Sequence, residues 1–257
     1  MWQVNEIFRS IQGEGTRTGR PSTFIRFAGC NLRCQWCVEK KGPGGRITSA
    51  YISCDTPHSQ TPESAIRAGM DSGSLHAWIA SVLKTNDDVI LTGGEPTIQS
   101  IDTLDRHDGL NDVLRLHHVT LETNGTTAMK LPWMALLSVS PKITTYGCDE
   151  MKSAMWAAEL AEMISMNPQA QTQIKFVMGN MDDLTAIKRF LSDLYSHSAY
   201  ADFSDVELMI MPVSINPNYY DLLSREIIDQ VILADTGLNV RLCDRLHYRL
   251  WKGERAK

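Results

Sequence analysis

The stretch TFIRFAGCNLRCQWC at residues 23–37 joins a short apolar run directly to three closely spaced cysteines. Branched and aromatic side chains dominate its first six residues, which predicts a buried β-strand. Six further runs of this kind predict strands at 89–92, 119–122, 136–140, 173–178, 207–211 and 239–243. Glycines or small polar residues follow the first four strands, as GC, GGEP, TNG and PK. The residues able to carry chemistry therefore gather just after strand ends.

Amphipathic segments lie between most of these runs. The clearest follows Asn180 and Asp182, where apolar residues recur every three or four positions, as in a helix with one buried face. Further helices are predicted at 64–84, 100–115, 150–166 and 219–233. Alternating strands and helices predict an α/β protein with a parallel sheet, and six or seven strands favour a partial, incomplete parallel β/α barrel. Proteins of this kind carry their sites at the carboxyl ends of the strands.

The composition is that of an ordinary globular protein, since 43% of the 257 residues are hydrophobic and 21% are charged. We expect one domain over 1–257, with an inserted loop at about 38–53, because the stretch EKKGPGGR at 39–46 is basic and rich in glycine. A formal net charge of -5 gives no electrostatic reason to expect direct binding of nucleic acid.

The amino terminus lacks the basic and apolar segments of a signal peptide, and no run approaches the roughly 18 apolar residues of a membrane-spanning helix. We therefore expect a cytoplasmic protein with no membrane partner. Six cysteines are too few for a disulfide scaffold, so the crowding of three of them indicates a metal site in a reducing compartment.

Cys30, Cys34 and Cys37 have the spacing C-x3-C-x2-C. Three thiolates on one short loop are soft anionic ligands, suited to an iron-sulfur cluster or to zinc. A structural zinc site requires a fourth ligand, for which Cys54 and His58 are candidates. On a 4Fe-4S cluster, three cysteines instead leave one iron open to a ligand from outside the protein, which allows catalysis.

This loop resembles the signature of the radical S-adenosylmethionine superfamily, C-x3-C-x-aromatic-C, with Trp36 in the aromatic position. The stretch TGGEP at 92–96 resembles the second motif of that superfamily. The resemblance implies that S-adenosylmethionine binds the open iron and that its reductive cleavage starts hydrogen abstraction from a substrate.

A narrower resemblance covers nearly the whole chain. The stretches NEIF at 5–8, SIQGEG at 10–15, FIRF at 24–27, ETNGT at 122–126, SVSPK at 138–142, IKFV at 174–177 and the segment 241–247 are similar to the 7-carboxy-7-deazaguanine synthase family. That resemblance implies a lyase that converts 6-carboxy-5,6,7,8-tetrahydropterin to 7-carboxy-7-deazaguanine with loss of ammonia, in queuosine-type deazapurine biosynthesis. It also implies Mg²⁺, an external flavodoxin-like or ferredoxin-like electron donor, and a homodimer.

The same resemblance implies two sets of binding residues. The expected substrate-binding residues are Gln12, Glu14, Gly15, Arg26, Thr92 and His247. The expected S-adenosylmethionine-binding residues are Trp36, Gly94, Glu95, Asn124, Ser140 and Lys142. A carboxylate such as Glu14 can accept from the adjacent ring N–H and amino donors of a pterin, and the planar fork of Arg26 suits the substrate carboxylate.

Each of these residues also has a structural reading. In isolation, Gln12 and Glu14 fit a solvated turn, and Arg26 fits an exposed strand position. Ser140 and Lys142 could equally cap a loop. His247 is open between a binding and a structural role, because the family's neighbouring glutamine and lysine are replaced here by Arg245 and Tyr248.

The chain departs from the family after the third cysteine. The family places Asp-Thr there, and the threonine helps to hold magnesium, whereas Val38 follows Cys37 and the string Cys-Asp-Thr stands at 54–56. In one reading Cys37 is the third cluster ligand and Thr56 returns to the magnesium. In the other, Cys54 binds iron and either Cys34 or Cys37 is not a ligand. We favour the first, because the short spacing around Trp36 needs no unusual loop closure.

Two other functions are compatible with parts of the sequence. A glycyl-radical activase, another radical S-adenosylmethionine enzyme, shares the cysteine spacing, but the QGEG and SPK elements argue against it. A noncatalytic metal-binding module is the alternative from a different class.

Overall fold

A computed structural model describes residues 1–41, 47–54, 56–145, 147–213 and 217–252. Nine strands form one sheet in the order β11-β10-β9-β8-β7-β6-β2-β1-β5. Their bounds are β1 Trp2–Ile11, β2 Pro21–Phe27, β5 Arg67–Met70, β6 Asp88–Gly93, β7 Val119–Thr123, β8 Leu136–Val139, β9 Gln171–Met178, β10 Glu207–Pro212 and β11 Arg241–Leu242. Two further strands, β3 Gln35–Lys41 and β4 Ile47–Ser53, form a separate antiparallel hairpin.

All pairings from β2 through β6 to β11 are parallel, whereas β1 pairs antiparallel with both β2 and β5. Among the described residues the two edge strands, β5 and β11, do not pair with each other, so the barrel is not closed. The predicted partial parallel barrel is confirmed. Its parallel strands all end at one rim.

Within the described part of the chain, six α-helices accompany the strands. They are α1 Ser72–Val82, α2 Asp108–Leu116, α3 Glu150–Met166, α4 Asp183–Tyr195, α5 Pro217–Ile227 and α6 Leu246–Trp251. The predicted helix after Asp182 is α4, and its apolar residues Ile187, Phe190, Leu191 and Leu194 are all buried. Because these helices cover the outside of the sheet, the central strand β6 is buried at every residue except its last, Gly93.

The structure differs from the sequence predictions in three places. The first strand, β1, was not predicted. The helix expected at 64–84 begins only at Ser72, after the short strand β5, because Asp71 caps it by accepting from the Ser74 backbone N–H. The loop expected at 38–53 contains most of the β3–β4 hairpin, while residues 42–46 lie outside the described part. The expectation of a single domain stays a prediction.

Within the described ranges, none of the helices combines the length and the apolar character that crossing a membrane would require.

Asp87 joins three segments at the end of the barrel opposite the rim. Its carboxylate, which is fully buried, accepts from Arg9 Nε at 2.9 Å, Thr23 Oγ1 at 2.9 Å and the Lys84 backbone N–H at 3.2 Å. These bonds connect β1 and β2 to the chain entering β6. They hold the pKa of Asp87 below its ordinary value despite burial, which by itself would raise it.

We predict that Asp87→Ala lowers the free energy of unfolding by roughly 2 to 3 kcal/mol, because Thr23 and Lys84 lose their acceptor in a buried position. Chemical denaturation measures the change. Asp112→Ala, at an exposed position of α2, is the matched control, expected to change stability by less than about 0.5 kcal/mol. Equal effects of the two substitutions would contradict the role of Asp87.

Candidate active site

A cavity of about 520 Å³ opens at the rim and extends into the barrel. Its upper wall comes from the cysteine loop and from the loops after β6, β7 and β8, and its floor comes from the turn after β1, from β7 and β9, and from the segment after β11. Of the predicted site residues, those in its lining are Gln12, Glu14, Arg26, Cys30, Cys34, Trp36, Thr56, Thr92, Gly94, Asn124, Ser140, Lys142 and His247. Gly15, Cys37 and Glu95 do not line it.

The floor is a buried ionic group built around Lys175. Its Nζ donates to Glu14 Oε2 at 2.8 Å and lies 3.8 Å from Glu122 Oε1, and its side chain is only 4% exposed. Arg245 Nε lies 3.2 Å from the other oxygen of Glu14. The positive charges of Lys175 and Arg245 therefore balance the negative charges of Glu14 and Glu122 inside the barrel.

The charges on the floor stabilise one another. Burial alone would raise the pKa of Glu14, but Lys175 and Arg245 hold that pKa far below its ordinary value. Burial alone would lower the pKa of Lys175, but Glu14 and Glu122 raise it. Glu14 is consequently an ionised acceptor and Lys175 an ammonium at neutral pH.

Glu122 links the floor to the neighbouring wall. Its Oε1 accepts from Gln12 Nε2 at 3.1 Å, and its Oε2 accepts from Thr92 Oγ1 at 2.9 Å. Glu122, Lys175 and Arg245 are site residues that the sequence analysis did not assign. Their signal was present, since ETNGT, IKFV and the segment 241–247, which contain these three residues, were all recognised as family motifs.

Arg26 lies in the cavity wall, but it is already held by another side chain. Its Nε donates to Glu6 Oε1 at 2.7 Å, and its guanidinium lies 5.6 Å from the ring centre of Phe8. These contacts fix the plane of the guanidinium in the wall.

The residues after β8 meet the hairpin at the rim. Lys142 Nζ donates to Ser140 Oγ at 2.7 Å and lies 5.9 Å from the ring centre of Trp36. Asn124, after β7, donates from Nδ2 to Asn31 Oδ1 at 2.9 Å and so ties its loop to the cysteine loop. Gly94 is in contact with backbone, since a Cβ there would lie 2.0 Å from the Gly29 carbonyl oxygen.

Glu95 does not line the cavity, and its expected contact with the cofactor stays a prediction. Its fully buried carboxylate accepts four hydrogen bonds, two from Thr97, one from Thr123 Oγ1 at 2.7 Å and one from the Asn124 backbone N–H at 2.7 Å. Its side chain thus holds the loop that presents Asn124. The sequence could not distinguish these roles, because both require an acceptor after the two glycines.

His247 packs on the turn between Gln12 and Glu14. A Cβ at Gly13 would lie 1.9 Å from His247 Nδ1, so only glycine fits there. The Leu246 backbone N–H also donates to the Gly13 carbonyl at 2.9 Å. Gly15 lies behind the wall, at a φ of +71° and against Gln173, which explains its residue type without a substrate contact.

The cysteines of the rim supply soft thiolate ligands of the kind that an iron-sulfur cluster requires. Among residues with a described position, no three histidine, cysteine, aspartate or glutamate side chains converge on one point. Cys30, Cys34 and Cys54 instead stand around the mouth of the cavity, with Thr56 beside them. Thiolates spread in this way suit a cubane, in which each cysteine binds a different iron.

A partial parallel barrel with a cysteine-rimmed cavity at the carboxyl ends of its strands defines the radical S-adenosylmethionine class of enzymes. A scan against models of protein families finds no match. The 7-carboxy-7-deazaguanine synthase of Halobacterium salinarum is 31% identical, over 96% of this chain and 90% of the relative. That of Pyrobaculum aerophilum is 30% identical, over 99% of this chain and 97% of the relative.

The crystal structure of QueE from Escherichia coli superposes with a TM-score of 0.59 at 25% identity, covering 96% of this chain and 94% of that one. The chain belongs to the 7-carboxy-7-deazaguanine synthase family.

We predict that Glu95→Gln lowers the free energy of unfolding of the cofactor-free protein by about 1 to 3 kcal/mol, because an amide NH₂ would face a buried donor. Denaturation without S-adenosylmethionine measures it, with the exposed Glu63→Gln as the matched control. Unchanged stability without cofactor would instead favour a role of Glu95 in cofactor binding alone.

We also predict an acid-dependent loss of stability that comes from Glu14. Because its pKa is lowered in the folded protein from the ordinary 4.5, its ionised form stabilises the fold above that value. This contribution is lost as the pH falls below 4.5, since the unfolded chain then binds the proton first. Between about pH 6 and about pH 3, the free energy of unfolding should fall more steeply for the unsubstituted protein than for Glu14→Gln. If the free energy of unfolding falls with pH equally in the two proteins, the predicted contribution of Glu14 is wrong.

Proposed function

We propose that this chain catalyses the reaction of its family, the radical ring contraction of 6-carboxy-5,6,7,8-tetrahydropterin to 7-carboxy-7-deazaguanine with release of ammonia. The product is a precursor of queuosine-type deazapurines. The observation that carries this proposal is the ionic floor, in which Glu14 is kept ionised beneath a rim of cysteines.

Glu14 and Gln12 bind the pterin edge in this proposal. A pterin presents adjacent N–H and amino donors, and one carboxylate can accept from both. Lys175 and Arg245 hold Glu14 as a carboxylate, and Gln12 Oε1 accepts from the Glu14 backbone N–H at 3.1 Å. The Gln12 amide and the Glu14 carboxylate are thereby presented from one turn, with Thr92 and His247 completing the pocket.

Arg26 binds the substrate carboxylate. Glu6 accepts from its Nε, which turns the guanidinium into a fixed plane and limits the side-chain entropy lost on binding. The same contact lowers the net positive charge of this wall, so discrimination for a carboxylate comes from geometry more than from charge.

Trp36, Gly94, Asn124, Ser140 and Lys142 form the binding surface for S-adenosylmethionine. When bound, the cluster and S-adenosylmethionine together supply hydrogen-atom abstraction. The protein positions these ligands with side chains that are themselves held by hydrogen bonds. Lys142 is held by Ser140, and Asn124 by Asn31. Glu95 acts through the backbone of Asn124 as a positioning residue.

Thr56 is the proposed magnesium ligand. Its hydroxyl is an oxygen donor of the kind that Mg²⁺ prefers, and it lies in the cavity wall beside the cysteines. Asp55 lies outside the described residues.

We place the enzyme in the cytoplasm, where thiols stay reduced and can bind a cluster. Asn31 and Arg33 on the cysteine loop are exposed, so a flavodoxin-like or ferredoxin-like donor can approach a cluster bound there. The homodimer and the absence of a direct nucleic-acid partner stay predictions from the family resemblance and from the net charge.

The decisive experiment is anaerobic reconstitution with iron and sulfide, followed by incubation with S-adenosylmethionine, reductant, Mg²⁺ and the carboxytetrahydropterin. We expect 7-carboxy-7-deazaguanine, ammonia and 5'-deoxyadenosine, detected by mass spectrometry. A protein with an intact cluster that forms 5'-deoxyadenosine but no deazaguanine would redirect the assignment to another radical enzyme. No 5'-deoxyadenosine at all would favour a metal-binding module.

Two cysteine variants provide the controls. Cys30→Ala should abolish turnover by removing a cluster ligand. Cys148→Ala, which changes a thiol outside the cavity lining, should leave turnover unchanged. Equal loss in both variants would point to general instability.

A further inference from the structure

The β3–β4 hairpin has two faces of opposite character. Its register pairs Trp36 with Ile52 and Val38 with Ala50, and these four side chains pack on the core, with Trp36 and Val38 only 5% and 0% exposed. The register also pairs Cys37 with Tyr51, which is 60% exposed.

The parity of the strands then assigns Cys37 to one face. Successive side chains of a strand point to opposite faces, and directly opposed residues of an antiparallel pair share one face. Cys37 therefore lies on the outer face with Tyr51, while Cys34, one residue before β3, lines the cavity together with Trp36. Cys34 is buried, and Cys37 does not line the cavity.

Cys54 stands at the base of the hairpin, opposite Cys34. Its backbone N–H donates to the Cys34 carbonyl oxygen at 3.1 Å, so the excursion 35–53 begins and ends at one place. Cys54 and Cys30 both line the cavity with Cys34. The long separation in sequence is thus no obstacle to a shared site.

The backbone around Cys37 is fixed from outside the hairpin. Its carbonyl oxygen accepts from Asn180 Nδ2 at 3.1 Å and lies so close to Gly179 that a Cβ there would be 2.3 Å from it. Turning Cys37 inward requires a one-residue slip of β3, which would also turn the buried side chains of Trp36 and Val38 outward.

We propose that Cys30, Cys34 and Cys54 hold the 4Fe-4S cluster and that Cys37 is not a ligand, contrary to the C-x3-C-x2-C spacing in the sequence. The inference deepens the proposed function and rests on its cluster. It also makes Thr56 a near neighbour of the third ligand: Thr56 Oγ1 is 3.4 Å from Cys54 Sγ. The string Cys54-Asp55-Thr56 then stands in the order that the family resemblance implies.

Cluster assembly in three variants tests this ligand set. Cys54→Ala should lose most of the iron and sulfide bound after anaerobic reconstitution, together with the charge-transfer absorption of the cluster. Cys37→Ala should keep the full content, as should Cys148→Ala. Circular dichroism and thermal unfolding of the cluster-free forms establish that each variant is folded. Retention of the cluster in Cys54→Ala and its loss in Cys37→Ala would overturn the proposal.

Alkylation gives a second readout without any substitution. Iodoacetamide under anaerobic conditions, followed by peptide mapping, should modify Cys37 in both the cluster-free and the reconstituted protein. Cys30 and Cys54, which are partly exposed, should be modified in the cluster-free protein and protected after reconstitution, whereas the buried Cys34 should react little in either form. Protection of Cys37 by the cluster, with Cys54 still modified, would overturn the inference even if every variant misfolded.

These results are separable from failure of the proposed function. If the reconstituted protein protects Cys54 from alkylation but forms no deazaguanine, the proposed ligand set stands and the substrate assignment is wrong. If the unsubstituted protein assembles no cluster under any reconstitution condition, both the ligand set and the proposed function are wrong.

Discussion

The rest of the site depends on the ionic contacts of the buried Lys175 ammonium with Glu14 and Glu122. A charge inside the barrel is tolerated only where opposite charges surround it, and Glu14 and Glu122 supply them from two separate parts of the chain. Glu14 is held in turn by Arg245, which follows the last strand. The turn after β1, the strands β7 and β9, and the segment after β11 are therefore joined by electrostatics at the point where a substrate would rest.

Much of this arrangement could be predicted from the sequence. Apolar runs ending in glycine or polar residues at 23–30, 89–94 and 119–125 located the rim, because parallel strands all end on the same side. The family motifs indicated Gln12, Glu14, Ser140 and Lys142 as site residues, and all four line the cavity. The sequence could not show which of several polar groups face one another across the barrel, since Lys175 is 161 residues from Glu14.

Two sequence-based assignments, Cys37 as a cluster ligand and Glu95 as a cofactor contact, stay predictions, and the structure favours a different role for each residue. The cysteine spacing was interpreted as a compact metal loop, although 47–53 is rich in branched and aromatic residues and 42–45 in turn formers, a pattern that also predicts a hairpin. Once the segment is a strand, side-chain parity turns Cys37 to the outer face. Glu95 was assigned to the cofactor from its motif, but a carboxylate with four internal donors has little capacity left for a ligand.

The closed base of the hairpin has a consequence for how this chain can change over evolutionary time. Because Cys34 and Cys54 meet through a backbone hydrogen bond, the distance between them does not depend on how far the two strands extend beyond it. Residues added in opposed pairs at the distal end would lengthen the excursion and preserve parity. The hairpin can therefore accept insertions, deletions or a grafted peptide, while the geometry at the mouth of the cavity stays unchanged.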